Sequence, residues 1–284
     1  MVEVYKTYKM FVNNEFVRSE SGRSYKIFDK NGNFLANIPR SSKKDLRDAV
    51  RYSKNALKSW NNKSNYNKGQ IIYRMAEELE NRKYEIINEL KKHNIDNPYN
   101  EVQKSVDRLI HYAGWTDKYS HILGTVNTVA SSFINYSVPE YVGVVACITH
   151  PNPPLLSFIT QVIPAIVAGN TVVSIINENP LPILTFAEIL KASDLPPGVI
   201  NILTQHNNEL IDHIVKHFDI NLIDYIGNDK QIIDKVFEGS SINVKRIRTQ
   251  NLDPQDFFDD YKSEGLYWIE KFIEIKTVWI PQSL

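Results

Sequence analysis

The chain has a single cysteine, Cys147, among its 284 residues. One cysteine excludes an intrachain disulfide and any zinc site built from several thiolates. The residue lies inside the β-branched run Val144-Val145-Ala146-Cys147-Ile148, which is typical of a strand covered on both faces. We therefore expect Cys147 to be a small buried apolar side chain and not a reactive thiol.

Net charge and long apolar runs are also lacking. The 33 basic side chains balance 33 acidic ones, which argues against a protein that binds nucleic acid through a basic surface. No apolar segment reaches the ~18 residues of a membrane-spanning helix, and the first residues lack the apolar core of a signal peptide. We expect a globular cytoplasmic protein without nucleic-acid or membrane partners.

The stretch from Tyr141 to Ile176 organises the rest of the sequence. The apolar run 142–148 ends in a proline-rich turn, helix-spaced apolar residues follow, and a second β-branched run begins after Gly169-Asn170. This order predicts a strand, a crossover helix and a second strand, which is the unit of a parallel sheet.

Similar alternation continues to residue 248 and predicts five strands in a Rossmann-like α/β domain. Before this domain, Asn13-Asn14 and Asn31-Gly32 lie between short apolar runs and predict two hairpins. Helices are predicted from Ser41 or Ser42 to Trp60, over 68–90 and from Val102 to Tyr119. The alternation over 133–138 predicts a strand that forms half of a projecting β arm.

Three motifs carry a family resemblance. They are Ile148-Thr149-His150-Pro151-Asn152-Pro153-Pro154, Pro164-Ala165-Ile166-Val167-Ala168-Gly169-Asn170 and Leu195-Pro196-Pro197-Gly198-Val199-Ile200-Asn201. They resemble I-T-P-W-N-F-P, P-A-L-A-x-G-N and L-P-x-G-V-x-N of the aldehyde dehydrogenase superfamily. The resemblance implies that Asn152 stands in the position of the asparagine that binds the oxyanion during thiol catalysis.

The resemblance ends after the last predicted strand. Active members continue into E-L-G-G-K and a catalytic domain with the nucleophilic cysteine, whereas this chain reads Arg246-Ile247-Arg248-Thr249-Gln250-Asn251-Leu252. Residues 261–279 instead resemble the C-terminus of the family, including its E-x-K-T-V motif. The pattern resembles the shortened, cysteine-less second domain of family-16-type aldehyde dehydrogenases and its stand-alone bacterial relatives.

This resemblance implies a superfamily framework without the catalytic domain. The expected divisions are N-terminal hairpins and helices over 1–130, a degenerate Rossmann-like domain over 131–250 and a C-terminal oligomerisation segment over 251–284. Apolar residues of the last segment, among them Trp268, Phe272 and Trp279, are too many for a free tail, so we expect them to be covered.

The cofactor contacts implied by the resemblance are changed in part. Ile148, Asn152, Glu178, Gly227 and Asn228 occupy positions that line the NAD crevice of the family. Ile175 replaces the usual lysine, and a Tyr225-Ile226-Gly227-Asn228 turn stands where the family has F-T-G-S beside the pyrophosphate. The turn Thr204-Gln205-His206 lacks the glycine that lets the adenine approach. We expect no bound cofactor, with NAD as the alternative.

Two arrangements of histidine are further candidates for a site. His150 stands at the carboxyl end of the first parallel strand, where ligands bind in open α/β sheets. His213 and His217 have the i, i+4 spacing that can bind a metal on a helix. A structural histidine and a solvated helix face are the favoured interpretations, and no metal site is predicted.

Two classes of function remain open. The first is a catalytically incomplete pseudoenzyme, a structural or regulatory subunit that assembles with itself or with a full-length aldehyde dehydrogenase. The second is an NAD(P)-dependent aldehyde oxidoreductase that acts only when a partner supplies the cysteine, or a residual dinucleotide or aldehyde binder. The absence of both the nucleophile and the general-base glutamate favours the first.

Overall fold

A computed structural model describes residues 6–130 and 132–282 of the chain. Its first elements are two hairpins, which confirm both predictions. The strands are β1 (Met10–Val12), β2 (Glu15–Val17), β3 (Ser24–Phe28) and β4 (Phe34–Pro39). The turns use left-handed backbone, with φ of 54° at Asn13, 62° at Asn14 and 82° at Gly32, which asparagine and glycine adopt at the least cost.

Five helices follow: α1 (Lys43–Asn61), α2 (Asn65–Asn81), α3 (Lys83–Lys92), α4 (Pro98–Ala113) and α5 (Tyr119–Leu123). The Ser42 hydroxyl caps α1 by accepting from the N–H groups of Lys44 and Asp45. The prediction of one helix over 68–90 was wrong, because the chain turns at Arg82, whose guanidinium pairs with Glu85 and with Glu188 of a later helix. The helix predicted to reach Tyr119 ends at Ala113.

Strands β5 (Thr125–Asn127) and β6 (Phe133–Tyr141) lead into the alternating half of the chain. Its elements are β7 (Val144–Ile148), α6 (Pro154–Val167), β8 (Thr171–Ile176), α7 (Pro180–Ala192), β9 (Ile200–Thr204), α8 (Ile211–Lys216), β10 (Leu222–Ile226), α9 (Lys230–Ser241) and β11 (Arg246–Gln250). The five strands are parallel, as predicted.

The large sheet has the order β11-β10-β7-β8-β9-β1-β2, so the first hairpin extends it by an antiparallel contact between β1 and β9. Side chains of β7 alternate between two cores, with Val145 and Cys147 in one and Val144, Ala146 and Ile148 in the other. The fold is therefore an α/β sheet with helices on both faces. No helix in the described part of the chain is long and apolar enough to cross a membrane.

After β11 the chain forms a 3₁₀ turn (Pro254–Phe258), α10 (Asp260–Ser263), α11 (Leu266–Glu270) and β12 (Ile273–Pro281). Strand β12 pairs with β6 along its whole length and completes an antiparallel sheet in the order β12-β6-β5, here called the arm. Phe257, Trp268 and Phe272 are fully buried in the same core as α4 and α6. The chain itself thus covers part of the apolar C-terminal segment.

Arg108 of α4 is fully buried and joins this segment to the helices. Its guanidinium donates to the carbonyl oxygens of Phe257 and Ser263 at 3.2 and 2.8 Å, and to the hydroxyl oxygen of Thr160 in α6 at 2.7 Å. An ion pair of 3.1 Å with Glu264 balances the charge. A planar guanidinium with five N–H donors suits such a set of acceptors. The ammonium group of a lysine could not replace it.

We expect Arg108→Met to lower the free energy of unfolding by about 3–5 kcal/mol, because the carbonyl oxygen of Ser263 loses its donor and Glu264 loses its ion pair with Arg108. Urea unfolding followed by fluorescence measures the change. Lys104→Met is the matched control, since Lys104 lies on the same helix and pairs with the partly exposed Asp260; it should cost less than about 1 kcal/mol. Equal costs for the two variants would contradict the role given to Arg108.

Candidate functional site at the carboxyl ends of the parallel strands

The carboxyl ends of β7, β8 and β10 meet around a crevice of about 240 Å³. Four of the five residues predicted to contact a cofactor line it: Ile148, Glu178, Gly227 and Asn228. This is the end of an open α/β sheet where ligands bind. The volume is below the ~300–1,000 Å³ of most small-molecule pockets.

Asn152 does not line this crevice and lies exposed on the turn that follows β7. Its backbone N–H donates to Nδ1 of His150 at 3.2 Å, and the His150 ring lies 5.3 Å from that of Phe257. Burial lowers the pKa of His150. His150 also lines the crevice, so the structure places it at the candidate site, and its role there stays a prediction.

Helix α6 begins at Pro154 and has no side-chain cap of its own. Glu101 of α4 supplies the cap, because its Oε1 accepts from the N–H groups of Leu155 at 2.8 Å and Leu156 at 3.3 Å. The residue is fully buried, and its Oε2 has no hydrogen-bond partner among the described residues. Burial raises the pKa of Glu101 to about 7. Sequence reasoning missed this residue, since the contact joins two distant helices.

The start of α9, where a pyrophosphate would be held, is occupied by groups of the chain. The Asp229 carboxylate accepts from the N–H groups of Gln231 and Ile232 at 2.9 and 3.4 Å. The Tyr225 hydroxyl accepts from the N–H of Asp229 at 3.2 Å. A bound phosphate would need these same donors and would meet the carboxylate charge. An aspartate directly before a helix is a capping signal in sequence, so this part of the site could have been predicted.

The turn after β9 is also filled. Gln205 is buried, and its Oε1 accepts from the N–H of Leu210 at 3.0 Å. The His206 ring packs 5.0 Å from that of Tyr25 in β3. Side chains and not an open glycine turn therefore stand where the resemblance places an approaching adenine.

Cys147 is fully buried in the centre of β7. Its neighbours in register are Ser174 of β8 and Asp224 of β10. Burial, together with the Asp224 charge, raises the pKa of the thiol well above its usual range. A thiol that is neutral and inaccessible cannot act as a nucleophile, so the prediction of a buried apolar role is confirmed.

The histidines of α8 do not present a common helix face. The helix ends at Lys216, and His217 is extended with φ of −77° and ψ of 119°. Its Nδ1 accepts from the N–H of Asp219 at 3.2 Å. Within residues 6–130 and 132–282, no three histidine, cysteine or acidic side chains are grouped so that they could hold a metal.

These observations define a class of protein. It has an open α/β fold of the dinucleotide-binding kind, and side chains of the chain itself occupy part of the crevice at the strand ends. Within that class, the family model described as the aldehyde dehydrogenase family matches residues 16–249. The chain belongs to the aldehyde dehydrogenase family, as the sequence motifs predicted.

Relatives agree with this assignment. Retinal dehydrogenase 2 of Gallus gallus is 30% identical over 251 residues, which cover 84% of this chain and 47% of the relative. Omega-crystallin of Enteroctopus dofleini is 28% identical and shares 84% of this chain and 49% of its own length. The NAD+ complex of aldehyde dehydrogenase from Bacillus cereus superposes with a TM-score of 0.82 at 25% identity, over 87% of this chain and 51% of that one. The chain thus spans about half the length of these relatives.

We expect the stability of the protein to fall as pH rises through about 7, because of Glu101. Its folded-state pKa of about 7 lies above the ordinary 4.5, so the proton is held more tightly in the folded state, and the stability this gives is complete below pH 4.5 and lost above 7. Glu101→Gln keeps the capping oxygen and cannot ionise. It should be more stable than the natural protein at pH 8.5 by up to about 3 kcal/mol, and equal at pH 4.5.

Urea unfolding of the two proteins at both pH values measures this difference. Glu77→Gln, which changes an exposed carboxylate of α2, is the control and should match the natural protein throughout. A Glu101→Gln variant that is less stable at pH 8.5 would show that the ionised carboxylate is favourable as a cap.

Proposed function

We propose that this chain is a catalytically incomplete aldehyde dehydrogenase, a structural or regulatory subunit of an assembly. The observation that carries the proposal is the state of Cys147: the sole thiol is fully buried with a raised pKa. Thiol catalysis requires an accessible thiolate and a base to release the acyl group. The Asn152 side chain, exposed on its turn, has no nucleophile of this chain beside it.

Weak or absent NAD binding is part of the same proposal. The Asp229 and Tyr225 side chains accept hydrogen bonds from the donors that a pyrophosphate would use. The acidic cap would also repel the phosphate charges. Retention of Glu178 and Gly227 around the crevice is explained by descent from a dinucleotide-binding framework and requires no present ligand.

The arm supports the proposed role in assembly. Strand β12 is an edge of the three-stranded sheet, with no strand on its outer side among the described residues. Exposed apolar side chains lie along the arm: Val126, Phe133, Ile134, Ile275, Trp279 and Ile280. An edge strand of nine residues with such side chains is suited to add to a sheet of another subunit, since main-chain hydrogen bonds supply affinity and side chains specificity.

The partner we propose is a second copy of this chain or a full-length aldehyde dehydrogenase. The family resemblance supports it, because the C-terminal strand of the family pairs with a neighbouring subunit. The alternative, in which a partner supplies a cysteine to the Asn152 turn, predicts aldehyde turnover only in the mixed assembly.

We expect the isolated chain to show no NAD-linked aldehyde oxidation and no saturable NAD binding below about 1 mM. The absorbance of NADH measures aldehyde oxidation, and titration calorimetry measures NAD binding. A full-length aldehyde dehydrogenase is the positive control for both. Cys147→Ala should behave like the natural protein. Turnover that Cys147→Ala abolishes would contradict the proposal and restore an enzymatic role.

The arm variant Trp279→Lys is expected to weaken assembly at least about tenfold, because a charge replaces an aromatic side chain of the proposed contact. Sedimentation of the protein alone, and pull-down after co-expression with a full-length aldehyde dehydrogenase from the same cells, measure the effect. Tyr261→Lys is the control, since Tyr261 is 96% exposed and lies on α10, outside the arm. A natural protein that is monomeric and captures no aldehyde dehydrogenase would overturn the proposed role.

A further inference from the structure

A second cavity, of about 520 Å³, lies on the opposite edge of the large sheet from the first hairpin. Strand β11 forms one wall with Arg246, Arg248 and Gln250, and the end of α11 adds Glu270 and Lys271. It is larger than the crevice at the strand ends and shares no residue with it. The candidate site described above therefore does not account for it.

Two cations meet in this cavity around one aromatic ring. The Arg248 guanidinium stacks 4.1 Å from the Trp268 ring, and Lys271 Nζ lies 4.9 Å from the same ring. Both donate to Oε1 of Gln250, at 2.9 Å from Arg248 and 3.2 Å from Lys271. Lys271 forms no ion pair within the described ranges of the chain. Its ammonium group donates instead to the neutral amide of Gln250.

The charged groups that face Lys271 are few. Arg248 lies beside it, Asp224 is fully buried and paired with Arg248 at 3.3 Å, and Tyr267 of α11 presents its ring. Glu270 lines the same cavity. Burial first, and the Arg248 charge second, lower the pKa of Lys271 to about 8. More of such an amine is neutral near pH 7.5 than of an ordinary lysine.

The arrangement also provides a place for an anionic group. Arg248 is 8% exposed and its Nε is buried, so its charge acts on the cavity without direct contact with a ligand. Arg246 is half exposed on the same wall, donates to the carbonyl oxygen of Ile273 at 2.6 Å and makes a loose 3.8 Å contact with Glu274. A half-exposed guanidinium has further N–H groups with which it can bind a carboxylate.

We propose that Lys271 is a nucleophilic amine that forms a reversible imine with a small aldehyde carrying a carboxylate, which Arg246 holds. The lone pair of Nζ adds to the carbonyl carbon, a proton moves from nitrogen to oxygen to give the carbinolamine, and loss of water forms the C=N bond. Addition of water reverses the step, and no oxidant or reductant takes part. Neighbouring cations and partial burial activate lysines in this way. The site is independent of the assembly proposed above.

Reductive trapping tests the proposal on the natural protein. Glyoxylate with sodium cyanoborohydride at pH 7.5 should convert Lys271 to a carboxymethyl-lysine at least about tenfold faster than other lysines, because more of its amine is neutral. Peptide mass spectrometry gives the rate at each lysine. Lys276 and Lys262 serve as internal controls, since both form ion pairs, with Glu140 and Asp256, that raise the pKa of their ammonium groups. Labelling of Lys271 no faster than Lys276 would overturn the proposal.

The carboxylate contact has its own test. Arg246→Gln should slow trapping of glyoxylate at Lys271 several-fold and leave trapping of propanal unchanged, because propanal has no carboxylate to hold. Lys271→Arg keeps the positive charge and should abolish labelling at this position, while urea unfolding checks that the fold persists. Equal slowing of both aldehydes by Arg246→Gln would rule out recognition of the carboxylate.

Discussion

The buried guanidinium of Arg108 is the interaction on which the rest of this structure depends. It lies on α4, and its acceptors lie on α6 and in residues 257–264. Without it, the carbonyl oxygen of Ser263 would lose its donor and Thr160 and Glu264 would lose a partner. With it, Trp268 and Phe272 complete the core and β12 is directed along β6. Residues 254–281 thereby complete one core and add the edge strand of the arm.

The need for hydrogen-bond partners also explains how side chains fill the crevice at the strand ends. Helix starts need partners for their free N–H groups, and in this chain protein side chains supply them, Glu101 for α6 and Asp229 for α9. A phosphate at the start of α9 would have to displace the Asp229 carboxylate and its negative charge. In this fold the N–H groups at the starts of α6 and α9 are therefore hydrogen-bonded to side chains of the chain itself.

Much of the fold followed from local pattern. Asn13-Asn14 and Asn31-Gly32 predicted hairpins because few residues accept left-handed backbone, and the β-branched runs predicted parallel strands. The break at Arg82 could not be predicted, since no proline or glycine marks it and the pairing of Arg82 with Glu188 joins segments more than a hundred residues apart. In the candidate site, the aspartate cap of α9 could have been predicted from the sequence. The Glu101 cap and the neighbours of Cys147 were not, because strand order and helix packing bring them together.

Lys271 shows the same difference between what the sequence reveals and what the fold reveals. Sequence gives a lysine after an apolar stretch, whereas its reactivity depends on Arg248, Trp268 and Gln250, which only the fold gathers around it. Residue type and short-range periodicity were enough to predict the family, the α/β order and the burial of the one cysteine. Which polar groups are capped, buried or left without partners became clear only from the fold, because burial and hydrogen bonding depend on contacts between distant segments.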